Sequence, residues 1–443
     1  MGRGEKNERE AALFAIIEVL ERQTFIQEAL AGTAVSGEGR AYVGRVVRGV
    51  VERAIELDER IACYASMKLK RMHPVVRNIL RLGCFELRYL DQIPGSASVN
   101  ECVKLAKACG QQRASGMINA ILRKIASGSE EALTEAGRVS MPAWIWEMWR
   151  KRFGRERALR IAESFLAERP PVLRVNPSRI SPEELRRIYQ EEGIALRPIE
   201  SLPGVFVLEQ AGSVETLPGF VKGWFYIQDA GAIRVLQEAG LQPGERVLDC
   251  CASPGGKAFL AAELVGASGF VEARDKTDKK VALLRENAAR LHYSHIRIRK
   301  HDALVWEEAS REAFDLVIAD VPCSGLGVLG RRPEIKYRLK KEDIESLTDL
   351  QSRIFDCVCG YVRPGGRLLY ATCTISEAEN EAQTAAFLRR HPEFEFYRER
   401  LFFPDEGEVP QDGFYACVMR RKAGSMSDMS KALGPEGVGA DLG

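Results

Sequence analysis

The chain has 443 residues, 45% hydrophobic and 28% charged, with a formal net charge of +2, which suits a soluble globular protein of two or three domains. Its longest apolar runs, such as 316–319 and 368–371, fall far short of the roughly 20 residues a membrane span needs, and its mixed-charge start lacks the apolar stretch of a secretory signal. No membrane contact and a cytoplasmic location are therefore expected.

Eleven cysteines in a long chain with no export signal point to reduced thiols. Neither the adjacent pair Cys250-Cys251 nor the pair Cys357/Cys359 has the spacing of a structural zinc site, so no metal is expected.

The first 140 residues read as a helical bundle. Pro74 suits a first helical turn, and Val75, Ile79 and Leu82 with Val76, Leu80 and Leu87 form an apolar stripe. Ser98 and Glu101 read as a capping box, with Gly110 as the stop, and a further helix is expected over 113–125. Charge is uneven here, with 21 basic and 17 acidic residues in 1–140. Lys68, Lys70, Arg71, Arg77, Arg81 and Arg88 cluster with only Glu86 opposing them, which fits either a phosphate-binding patch or a solvated helix face.

The stretch 71–125 resembles the NusB-type RNA-binding helical domain. The resemblance rests on the helix 75–90, the turn Ile93-Pro94, Val99-Asn100-Glu101 leading to Leu105-Ala106-Lys107, and Asn119 with Leu122. It implies RNA contact by residues 1–140.

Residues 127–142, rich in Ser, Gly and Glu, read as a linker. Trp144, Trp146 and Trp149 follow, and tryptophans so spaced are more often core than function. Extended pieces at Leu173-Arg174-Val175 and Val205-Phe206-Val207, with a helix starting near Pro182, suggest a small α+β module over 141–227.

From Gly244 strands alternate with helices: strands at 247–251, 269–273, 296–300, 315–320 and 367–372, with helices at 259–265, 279–292 and before the last strand. That order predicts a doubly wound, Rossmann-like α/β domain over 228–423, with a largely parallel sheet and ligands beyond the carboxyl ends of its strands. Residues 424–443 read as a disordered tail.

The run Asp249-Cys250-Cys251-Ala252-Ser253-Pro254-Gly255-Gly256-Lys257 ends the first of these strands and opens a helix. Its glycines let backbone approach a ligand closely, and the helix N-terminus favours carboxylate or phosphate. The Gly-x-Gly-x-x-Gly spacing of dinucleotide-binding enzymes is missing. Asp275 is the next acid past the second strand, where a carboxylate can accept from ribose hydroxyls, and Asp302 follows the third, where it can accept from an adenine amine.

Asp320-Val321-Pro322-Cys323-Ser324-Gly325 ends the fourth strand and Thr372-Cys373 the fifth. Two cysteines at neighbouring strand ends beside an Asp point to nucleophilic chemistry rather than packing. These residues resemble the motifs of RNA 5-methylcytosine methyltransferases of the RsmB/Sun family. The likeness takes in Gln228-Asp229-Ala230, the loop from Cys251 to Lys257, Asp275, Asp302, Asp320 to Gly325, Arg332-Pro333-Glu334-Ile335-Lys336, Thr372-Cys373 and Ser376 to Glu381. Small departures are Ser253 where Ala is frequent, Cys250 where Leu is frequent and Ala258 where Thr is usual.

The resemblance implies S-adenosylmethionine as cofactor, held by Cys251, Ala252, Ser253, Pro254, Gly255, Gly256, Lys257, Asp275, Asp302 and Asp320, and RNA, 16S ribosomal RNA in particular, as substrate. It implies Cys373 as the nucleophile at carbon 6 of a cytosine, Asp320 as the hydrogen-bonding partner of the ring, and Cys323 as the residue assisting release. Three other readings compete. A DNA cytosine methyltransferase would use the Pro-Cys pair and make Cys323 the nucleophile. An amino-group methyltransferase is disfavoured by Cys323 where a second Pro is usual. A non-catalytic RNA-binding factor would not need either cysteine.

Overall fold

The structure is a computed structural model that describes residues 8–33, 35, 37–128, 132–209 and 213–423. The expected disordered tail, 424–443, lies outside the described residues. The chain forms two compact units, one of Met1–Glu168 with Val328–Lys341 and one of Arg169–Gly327 with Glu342–Gly443.

The first unit is helical: α1 (Glu8–Leu20), α2 (Ile26–Ala31), α3 (Glu38–Ala62), α4 (Pro74–Tyr89), α5 (Gly95–Ala108), α6 (Ser115–Ala126), α7 (Glu135–Arg138), α8 (Ala143–Phe153) and α9 (Arg155–Ser164). Pro74 sits in the first turn of α4, and Val76, Ile79, Leu80 and Leu82 are buried in a core shared with α1, α3, α5 and α6. Close approach of α3 and α4 requires Gly49, because a Cβ there would lie 2.1 Å from the Phe85 ring. Trp146 and Trp149 are buried, as core residues.

The capping box does not form. Pro94 ends the extended approach and α5 begins at Gly95, one turn early, so Ser98 lies inside the helix. Its hydroxyl instead donates to Glu86 at 2.5 Å, and Glu101 pairs with Lys104. Gly110 does follow the helix end with φ +74°, the left-handed conformation that suits glycine. The expected linker is packed as well: Glu59 of α3 accepts from the Thr134 backbone and hydroxyl, and Ser140 is buried.

In the second unit, β1 (Val172–Val175), α10 (Pro182–Glu191), β2 (Leu196–Pro198), β3 (Val205–Leu208) and β4 (Phe225–Ile227) form a small antiparallel sheet in the order β2-β3-β1-β4 with one helix. Ser181 caps α10 through the Glu184 N–H, and Pro182 occupies its first turn.

The larger sheet follows α11 (Ala230–Gln237). Its elements are β5 (Arg246–Asp249), α12 (Gly256–Val265), β6 (Phe270–Asp275), α13 (Asp278–Leu291), β7 (Ile296–Lys300) and β8 (Phe314–Asp320). The segment belonging to the first unit comes next, with a one-turn helix α14 (Ile335–Arg338), then α15 (Asp343–Val358), β9 (Val362–Thr372), α16 (Glu381–Arg390), β10 (Phe394–Phe402) and β11 (Phe414–Arg421).

The sheet order is β10-β11-β9-β8-β5-β6-β7, and β11 alone runs against the others, so the sheet is mixed. Alternate residues of its central strands enter two cores. Val247, Val271, Leu316 and Ile318 pack with α11, α12 and α13, while Leu248, Val317, Ala319 and Tyr370 pack with α15 and α16. Burial on both faces explains the unbroken apolar run in β8. The β10–β11 hairpin is the one part of this sheet the strand pattern did not disclose.

Among the described residues no helix is long and apolar enough to cross a membrane, and no cluster of three or more His, Cys, Asp or Glu is placed to hold a metal ion. All eleven cysteines are free thiols.

Candidate active site

The loops at the carboxyl ends of the parallel strands gather most of the expected residues. After β5, Asp249 accepts from the Cys251 N–H at 3.3 Å, and the chain turns through Gly255, at φ +116°, into α12. A Cβ on Gly255 would lie 2.2 Å from the Phe259 ring, so only glycine fits that turn. The loop is closed from β6 by Asp275, buried at 3% exposure, whose two oxygens accept from the Ser253 N–H at 3.1 Å and the Lys276 N–H at 2.8 Å. Lys276 also reaches Asp302 at 2.9 Å and holds that carboxyl below its usual range. Asp275 and Asp302 are thus linked through one lysine.

Cys251 is half-buried in the same loop, and burial pushes its thiol up, away from the ionised form. Ala252, Ser253, Pro254, Gly256, Lys257 and Asp320 line a cavity of about 280 Å³, together with Tyr226, Gln228, Asp249, Asp412 and Phe414. Lys257 donates to Asp320 at 2.7 Å and lies 5.2 Å from the centre of the Phe414 ring. Burial pulls the Lys257 ammonium down, but Asp320, with Asp249 and Cys373 behind it, more than offsets this, and the group stays charged. Asp249 is the opposite case: burial, and then repulsion from Asp320, push its carboxyl up to about 7.

The two cysteine loops meet. Cys323 and Cys373 stand with their sulfurs 3.3 Å apart. The hydrogen bond with Cys373, and then burial, hold the Cys323 thiol well above its usual value, so Cys323 keeps its proton. Backbone bonds stitch the loops together. Val321 N–H donates to Ala371 O at 3.1 Å, Gly327 N–H to Cys373 O at 3.0 Å, and Gly413 N–H to Gly327 O at 2.7 Å. Buried Glu379 accepts from the Ser324 N–H, the Ser324 hydroxyl and Gln351 at 2.8, 2.6 and 3.1 Å, while Asn380 accepts from Thr372 and donates to Thr374 O.

Several of these residues carried no assigned role in the sequence. Asp249 and Gln228 stood inside recognised motifs without one, as did Glu379 and Asn380. Asp412 and Phe414 come from the β10–β11 hairpin, and no local pattern marks a loop between two strands as a cavity wall.

The basic cluster is neutralised in part. Arg77 pairs with Glu21 at 2.5 Å, Arg81 with Asp58 at 2.7 Å, and Glu86 is buried against Arg9. Lys68, Lys70 and Arg71 remain exposed. Carboxylates 56 and 23 residues away in the chain supply the charge that the local count lacked.

A family model described as 16S rRNA methyltransferase RsmB/F matches residues 237–419, the NusB family matches 6–127, and an RsmF/B-like ferredoxin-like domain matches 141–215. The chain is 33% identical over 400 residues to the probable ribosomal RNA small subunit methyltransferase B of Synechocystis sp., covering 87% of this chain and 90% of the relative. The corresponding protein of Bacillus subtilis is 30% identical over 442 residues, covering 94% and 98%. The chain belongs to the RsmB/F methyltransferase family. The solved structure of PH0851 shares the fold, with a TM-score of 0.77 at 22% identity over 93% of this chain and 99% of that one.

RsmB/F enzymes are S-adenosylmethionine-dependent methyltransferases, and this chain has the NusB-like, ferredoxin-like and α/β methyltransferase parts of that family. The residues present fit the cofactor. The Gly255-Gly256 turn is a cradle that side chains would fill, it opens the ten-residue helix α12, and two carboxylates stand at the ends of the next two strands.

Proposed function

We propose that this chain methylates carbon 5 of a cytosine in small-subunit ribosomal RNA through a covalent adduct on Cys373. The observation that carries this reading is the pair of thiols 3.3 Å apart, beside a cavity lined by the Lys257–Asp320 ion pair. The names of the relatives supply the RNA class.

Carbon 5 of cytosine is a weak nucleophile until a thiolate adds at carbon 6. Cys373 forms that bond, and Asp320 hydrogen-bonds ring N3 and the exocyclic amine as negative charge spreads into the ring. The loop from Cys251 to Lys257 with Asp275, Asp302 and Asp320 would hold S-adenosylmethionine, which when bound would supply the electrophilic methyl group for carbon 5. A water molecule then takes the carbon-5 proton while the bond from carbon 6 to sulfur breaks and Cys373 leaves as a thiolate, its release assisted by Cys323 at 3.3 Å. A base inside a helix cannot reach such a cavity, so the target is unpaired or flipped out. Residues 1–140 are assigned to RNA affinity, 141–227 to a supporting module and 228–423 to catalysis.

Substitution of the two cysteines tests this. Cys373→Ala should lose both methyl transfer and any covalent complex. Cys323→Ala should still attack and accept the methyl group but release slowly, so a protein–RNA band that survives heating and disappears with RNase accumulates on denaturing gels. A trapped complex with Cys373→Ala and none with Cys323→Ala would transfer the nucleophile to Cys323.

A further inference from the structure

Gln228 is 6% exposed and lines the cavity that holds Lys257, Asp249 and Asp320. Its amide cannot turn freely. The Oε1 atom accepts from Arg174 Nε at 2.8 Å, and Arg174, itself buried, is held by an ion pair with Glu263. Glu263 in turn accepts from Tyr293. That chain of bonds fixes which end of the amide carries oxygen, and it leaves the Nε2 end beside Gly256, where a Cβ would come within 3.0 Å of it.

Nε2 is buried and has no hydrogen-bond partner. A buried amide nitrogen held in one orientation without an acceptor is unfavourable, and such a group is normally satisfied by whatever occupies the site. Among the residues lining the cavity, Lys257 and Gln228 are the two with side-chain N–H donors, and Lys257 is engaged with Asp320.

Resting on the cytosine reading above, we propose that Gln228 is a specificity-determining residue whose Nε2 donates to the O2 carbonyl of the flipped cytosine. The chemistry of the base selects this oxygen. Asp320 takes the N3 and amine edge, and O2 is bonded to the carbon next to N3 and is the only oxygen of the ring. A neutral donor suits it, because addition at carbon 6 increases the electron density that O2 shares with N3. Gly256 then has a second duty: any side chain there would press on the amide that reads the base.

The experiment uses the full-length enzyme with small-subunit ribosomal RNA fragments whose target position is cytidine or 2-thiocytidine. Sulfur is a weaker acceptor than oxygen while N3 and the amine are retained. The unsubstituted enzyme should turn over the 2-thio RNA at least roughly tenfold more slowly, and Gln228→Ala should be slow on cytidine yet nearly indifferent to the exchange. Gln228→Glu keeps the oxygen facing Arg174 but replaces the donor with an acceptor, so it should be the slower of the two variants.

Calorimetric affinity for S-adenosylmethionine should change by less than about twofold in both variants, and melting curves should show both folded. An equal 2-thio penalty in Gln228→Ala and the unsubstituted enzyme overturns the proposal. A large loss of S-adenosylmethionine affinity also overturns it, by giving the donor to the cofactor carboxylate instead. Failure of the cytosine reading would show separately, as absence of 5-methylcytosine in RNA treated with the unsubstituted enzyme.

Discussion

Each unit sets a buried cation beside a cavity, Arg81 in one and Lys257 in the other, but the polar atoms around these two cations end differently. In the helical unit Arg81 is buried and each of its side-chain nitrogens is bonded, two to Asp58 at 2.7 Å and one to Asn78 at 2.9 Å. Lys336, from the segment Val328–Lys341, is closed off in the same way, donating to the carbonyls of Glu52 and Ser140 at 2.6 Å each. The α/β unit instead turns Gln228, Lys257, Asp249 and Asp320 toward one cavity and leaves a donor there unsatisfied. A buried charge whose partners are all internal is a structural device; one that faces a cavity with capacity to spare is placed for a ligand.

The sharpest way to break this contrast is to remove the buried cation of the cavity. Lys257→Met retains much of the side chain's apolar length but leaves Asp320 without its partner. Methyl transfer should fall by about 1,000-fold, equivalent to about 4 kcal/mol of transition-state stabilisation. The melting temperature should move by only a few degrees, since an ion pair replaced on one side beside an open cavity can be rehydrated. A variant that keeps most of its activity would place the Lys257–Asp320 pair in the structural class.

The helical network should respond in the opposite sense. Asp58→Ala leaves Arg81 buried without its main partner, and because the Asp58 side chain is itself 33% exposed the expected loss is discounted to about 2 kcal/mol of stability. Denaturant unfolding measures it, and affinity for S-adenosylmethionine at a temperature where the variant is folded should be unchanged. If stability held and cofactor affinity dropped, the helical charges would have a role that their closed hydrogen bonding does not suggest.

Much of the catalytic part was legible because strand ends impose it. A parallel sheet brings the residues after β5, β6, β7, β8 and β9 to one edge whatever lies between them, so the loop from Cys251 to Lys257, Asp275, Asp302, Asp320, Cys323 and Cys373 could be picked out in order. The helical part was legible as apolar spacing but not as charge. Arg77 and Arg81 looked unopposed because Glu21 and Asp58 approach only in three dimensions, and Ser98 looked like a cap because its true partner, Glu86, lies on the preceding helix. Membership of Val328–Lys341 in the helical unit had no local signature at all. The wall formed by Asp412 and Phe414 was hidden for a related reason: a hairpin loop carries no periodicity that says what it covers.

The smallest effect concerns Asp249, which separates the two regions by pH rather than by loss of a contact. Burial, with repulsion from Asp320 behind it, raises its pKa in the folded chain to about 7, against about 4 for an unfolded chain. Between those values the folded state binds more protons than the unfolded one, so this group makes stability fall as pH rises through 7, and its contribution levels off only about one pH unit higher, once the carboxyl is ionised in both states. A step from pH 6 to pH 7 should therefore cost on the order of 1 kcal/mol through Asp249. Asp249→Asn keeps the shape and cannot ionise, so its unfolding free energy should decline less over that step, while histidines elsewhere affect both proteins alike and cancel in the comparison. Parallel declines measured by urea unfolding at the two pH values would mean that Asp249 is already ionised at pH 6, stabilised by Lys257, which would then serve both Asp249 and Asp320 before any substrate enters.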